Sequence, residues 1–130
     1  MTRLIVIIAI SAALGGCAAP RPLWQPATSQ QLEPPVCASS PACTSMWQYA
    51  QVWINPNRNW KSRVVNDTTI ETFGPDNSAD VAYAITKESL GDNRYQIVMH
   101  ARCGSASGCV PRSPAALIMD FNRVLRSISD

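Results

Sequence analysis

The chain has 130 residues, with eleven basic and nine acidic side chains, a formal charge of +2 and only 15% charged residues. That length sustains one compact domain and not two. The near-neutral balance, with Lys and Arg scattered singly, excludes the basic stripe interleaved with aromatics that a nucleic-acid binder needs.

The first seventeen residues read MTRLIVIIAISAALGGC. One positive charge at Arg3 precedes an apolar run from Leu4 to Leu14, too short for a mature spanning helix, which needs about twenty residues, and suited to a cleavable export signal. Leu14-Gly15-Gly16-Cys17 resembles the lipobox of bacterial lipoproteins. The resemblance implies that the signal is residues 1–16, that Cys17 carries the acyl chains, and that Ala18 behind it permits sorting to the outer membrane with the body in the periplasm.

Residues 17–36 are expected to be a tether. Six of the ten prolines fall between Pro20 and Pro41, and the stretch AAPRPLWQPATSQQLEPP has no apolar period, so helix and strand interiors are disfavoured. Trp24 is its one aromatic anchor candidate, read as a surface side chain.

Residues 37–130 are expected to form the globular part. With Cys17 given to lipid, Cys37, Cys43, Cys103 and Cys109 remain, two pairs of equal spacing. In an oxidising compartment an even count implies disulfides. Local bridges are favoured because Pro41, Gly104 and Gly108 allow tight loops, although crossed connectivity would close longer loops and stabilise more. The five-residue gaps match neither zinc knuckles nor redox motifs, so no metal site and no cofactor are expected.

Ser45 and Gln48 have capping-box spacing, which predicts a helix from Ser45 to about Asn55, ended by Pro56. Met46, Ala50 and Trp53, with Tyr49 beside them, form its apolar face, widened by Trp47 and Ile54. Then KSRVV, TTIETF, DVAYAIT and RYQIVMHARC read as strands, with a hairpin turn at Leu90-Gly91-Asp92-Asn93. In the last strand Tyr95, Ile97, Met99, Ala101 and Cys103 share one face, and Gln96, Val98, His100 and Arg102 the other. Ser113 before Pro114 predicts an N-cap, and Leu117, Phe121, Val124, Leu125 and Ile128 mark a C-terminal amphipathic helix. The expected class is α+β: an N-terminal helix, an antiparallel meander of three or four strands and a C-terminal helix, both helices on one face of the sheet, stabilised by disulfides.

Catalytic chemistry finds little support, and no catalytic residue is expected. His100 is the only histidine, so a nucleophile-base pair would have to use it, with Ser105 or Ser107 as partner. Glu71, Asp76, Asp80, Glu88 and Asp92 fall in strands or turns with no spacing that pairs two of them. The layout of lipobox, proline-rich tether, paired cysteines and small α+β body is similar to that of small envelope lipoproteins of proteobacteria, which include subunits of secretion, conjugation or pilus machines, assembly factors and immunity proteins. The expected function is therefore a non-catalytic binding or assembly lipoprotein with an envelope protein partner. Two other readings stand beside it: a small-ligand or peptidoglycan binder stacking sugars on Trp47, Trp53, Trp60 and Tyr83, and a hydrolase using His100.

Overall fold

The computed structural model describes residues 32–129. The signal, the lipobox with Cys17, Trp24 and the tether as far as residue 31 lie outside the described residues. Within them the order is β1 (Val36–Cys37), α1 (Ser40–Asn57), β2 (Ser62–Val65), β3 (Thr69–Thr72), β4 (Val81–Gly91), β5 (Arg94–Cys103) and α2 (Pro114–Ser129). The class is α+β, with a five-stranded sheet ordered β1-β5-β4-β3-β2 and antiparallel at every pairing.

β2 to β5 form the expected meander, and β1 adds a strand that the sequence did not reveal. It pairs Val36 with Gln96 and Cys37 with Tyr95, and Ile97 N–H donates to Pro35 O just beyond it. Two residues are too few to show alternation, and two prolines stand directly before them. Because β1 precedes α1, the helix is not the first element, and the domain boundary drawn at Cys37 falls inside a strand.

α1 starts five residues earlier than expected, at Ser40. Ser39 is its N-cap, its side chain accepting from Ala42 N–H at 3.4 Å. Pro41 sits in the first turn, where a missing N–H costs no hydrogen bond, and so extends the helix where a loop turn was expected. Cys43, Met46, Trp47, Ala50, Trp53 and Ile54 form the buried face, while Tyr49, expected beside them, is 50% exposed. α2 starts as the sequence predicts: Ser113 Oγ accepts from Ala116 N–H at 3.2 Å, ahead of Pro114.

The hairpin turn between β4 and β5 also lies where predicted. Gly91, Asp92 and Asn93 have φ of 83°, 52° and 57°, the left-handed conformations that match a tight turn to strand twist. Cys37 and Cys43 are bridged, as are Cys103 and Cys109, with Cα separations of 5.2 and 5.7 Å. The local connectivity is the one present.

The inward residues of β5 and β4, Ile97, Met99, Val81, Tyr83 and Ile85, join Ile70 and the buried residues of both helices in one cluster. Each large apolar side chain sequestered there contributes about 1.5–3 kcal/mol, so Phe121, Met46 and Ile85, all at 0% exposure, anchor the fold.

Candidate functional site

A concavity with a mixed polar and apolar lining starts where α1 stops. Pro56 has no N–H to give to the preceding turn, and the helix ends one residue later at Asn57. Asn57 converts this ending into a polar junction. Its Nδ2 donates to Trp53 O at 2.7 Å, its own carbonyl accepts from the Tyr83 hydroxyl at 2.9 Å, and its Oδ1 accepts from Arg112 Nη2. One residue, through its carbonyl and its side chain, thus ties α1 to β4 and to the segment that leads into α2.

Around this junction lies an open cleft of about 150 Å³. Asn57, Asn59, Tyr83 and Arg112 supply its polar wall, and Val81 and Leu117 its apolar floor. Val110 and Pro111 form the rim, directly after Cys109, so the Cys103–Cys109 bridge fixes where that rim begins.

Charge at the cleft is set by Arg112. Its Nη1 lies 3.7 Å from Asp120 Oδ2, but the same carboxylate is held more closely by Arg123 at 2.6 Å and accepts from Trp53 Nε1 at 3.0 Å. Burial would raise the Asp120 pKa. The hydrogen bonds from Arg123 and Trp53, with the charges of Arg123 and Arg112, outweigh it and hold the carboxyl below its ordinary value. One carboxylate is therefore shared between two guanidinium groups. Burial pushes the Tyr83 phenol up, against a smaller opposing effect of Arg112, so it stays protonated near neutral pH and keeps donating to Asn57.

Of the residues singled out from the sequence, Tyr83 lines this cleft, and the candidate catalytic residues lie elsewhere. His100 is exposed on the outer side of β5, in a cross-strand row with Ala84 and Glu71. Ser105 and Ser107 hydrogen-bond each other through their Oγ atoms at 3.0 Å, inside the Cys103–Cys109 loop. Glu71 pairs with Arg63 at 2.7 Å. Glu88 accepts from Gln96 and Thr86, and these hydrogen bonds lower its pKa. Asp80 accepts from Asn59 Nδ2. No group of three or more His, Cys, Asp or Glu residues suited to a metal ion occurs among the described residues.

The aromatics proposed for sugar stacking are mostly core. Trp47, Trp53 and Tyr83 are all buried, and Trp53 meets Tyr83 and Phe121 edge to face at 5.9 and 5.3 Å. Trp60 packs flat against Gly74, where an added Cβ would come within 2.6 Å of the ring. Sequence reasoning did not single out Asn57, Asn59 or Arg112. The only signal was a run of polar residues after Pro56 and an arginine beside Pro111, neither of which has a spacing that implies a site.

Among the described residues, no helix is long and apolar enough to cross a membrane. Comparison with known proteins finds no matching family model, no matching curated protein and no matching solved structure.

Proposed function

We propose that this chain is a non-catalytic envelope lipoprotein, tethered through acylated Cys17 to the outer membrane, whose body docks onto another envelope protein. The observation that carries the docking is the solvent side of α1. Tyr49 and Val52 lie there one turn apart, 50% and 64% exposed, with exposed Pro56 one turn further along. Neighbouring apolar side chains on one helix face give a partner a dry centre to cover. We read both helices as lying on one face of the sheet, a reading supported by the single cluster that joins them to the inward residues of β4 and β5. The other sheet face, with His100, Arg63 and Glu71, then supplies a polar second surface.

The anchor accounts for the remaining features. Asn122, fully buried on α2, donates from Nδ2 to Glu33 O at 3.1 Å, and Arg126 Nη2 donates to the same carbonyl. The point at which the tether joins the body is thereby fixed to α2, which would orient the docking surfaces relative to the membrane.

Crosslinked pull-down from gently solubilised native membranes tests this reading. The wild-type chain is expected to bring down one stoichiometric protein, and Cys17→Ser and Val52→Asp each to lose it. Radioactive fatty acid should label the wild type and not Cys17→Ser. A monomer with no protein contact in its own envelope, or label on the serine variant, overturns the proposal.

A further inference from the structure

We infer that the cleft bounded by Asn57, Tyr83 and Arg112 is a binding site for a carboxylate carried on a small apolar group. The site adjoins the docking surface of α1 at Pro56, which lines the cleft, but the inference does not depend on that reading.

Geometry selects the ligand class. At about 150 Å³ the cleft holds a few heavy atoms, far below the space of about 300–1,000 Å³ that drug-sized ligands occupy. Arg112 is the one cationic side chain in its wall, and 44% of that side chain remains accessible. Its hydrogen bond to Asn57 takes up Nη2 on one side. Asp120, 3.7 Å from Nη1, is already held at 2.6 Å by Arg123. A guanidinium carries five N–H donors in a planar fork, so several remain for an incoming acceptor. One incompletely neutralised guanidinium matches a monoanion, and its fork matches the two oxygens of a carboxylate.

The remaining wall sets polarity and shape. Asn59 already donates to Asp80, which leaves its amide oxygen to accept an N–H from the ligand. The Tyr83 hydroxyl is committed to Asn57 O, so it positions the junction and leaves the anion to Arg112. Val81 and Leu117 give the floor room for a methyl-sized group and no polar partner. An amide N–H, a short apolar side chain and a terminal carboxylate together describe a peptide carboxy terminus ending in a small residue, and a free short carboxylic acid shares the anionic part.

The test uses the full-length chain solubilised in detergent, with ligand-observed NMR as the readout and three probes: N-acetyl-alanine, its C-terminal amide and propionate. N-acetyl-alanine is expected to bind, and the amide at least about tenfold more weakly, the ordinary worth of a charge-assisted hydrogen bond. Arg112→Met should lose a similar factor while still melting cooperatively, at a temperature lowered by the lost bond to Asn57, and Arg112→Lys should recover part of the binding. Binding of propionate as tight as that of N-acetyl-alanine would identify free carboxylic acids as the source, and weaker binding would identify a peptide terminus. The inference is overturned if N-acetyl-alanine shows no binding at millimolar concentration, if its amide binds equally well, or if a melting-competent Arg112→Met binds like the wild type.

Discussion

Single side chains in this protein do more to join elements than their residue types suggest. Lys87 occupies an inward position on β4, opposite Ile97, yet its ammonium lies over the rings of Trp47 and Tyr95 at 5.5 and 5.7 Å. The aliphatic stem covers apolar surface while the charge meets two π faces near the edge of the core. Asp120 plays a comparable part between α2, Trp53 and two arginines. Because its folded pKa is lowered, its contribution to stability is complete above the ordinary carboxylate pKa and is lost as pH falls through the folded value. Thermal melts from neutral to acidic pH should therefore show the wild type losing a stabilising increment that Asp120→Asn lacks at every pH. Parallel curves for the two proteins would remove that role.

At the scale of elements, the connections are as constrained as the strands. The turn from β2 to β3 is closed by Asn66, whose Oδ1 accepts from the backbone N–H groups of Thr68 and Thr69 at 2.9 and 2.8 Å, a local side-chain turn that the sequence Asn-Asp already suggests. The longer connection from β3 to β4 instead leans on a distant part of the chain. A Cβ added at Gly104 would fall 1.7 Å from Asp76 O and 2.8 Å from Ser78 O. Those atoms are backbone and cannot rotate away, so Gly104→Ala must displace either the connection or the start of the Cys103–Cys109 loop. Overpacking of this kind costs about 1–3 kcal/mol, to be read as a lowered denaturation midpoint with unchanged slope. A midpoint equal to wild type would show that the two loops separate freely.

At the scale of the whole molecule, the second half of α2 joins the body to what precedes it. Asn122 is fully buried and holds the carbonyl of Glu33, while Pro35 accepts from Ile97 at the sheet edge. The Cys37–Cys43 bridge then ties β1 to the first turns of α1. Asn122→Ala removes one of these three ties while Arg126 still holds the Glu33 carbonyl, and should cost about 0.5–1.5 kcal/mol, the net worth of one hydrogen bond. Limited proteolysis should then cut before Val36 faster than in the wild type, with cutting at the Asp92–Asn93 turn unchanged as the internal standard.

Local rules sufficed wherever a structure is held by neighbours in sequence. Ser113-Pro114 specified the start of α2, Gly91-Asp92-Asn93 specified the hairpin, alternation specified the two faces of β5, and Pro41, Gly104 and Gly108 favoured the local bridges that are present. These features depend on capping, backbone sterics and period, all carried by a few adjacent residues. Tertiary structure alone decided the rest. Val36–Cys37 becomes a strand only because the β5 edge supplies its partners, Tyr49 is exposed because the core of α1 is already filled by Trp47 and Trp53, and Asn57 meets Arg112 across fifty-five positions of chain. Contacts made over that separation leave no periodic trace in the residues that make them, since each member looks locally like an ordinary polar loop residue.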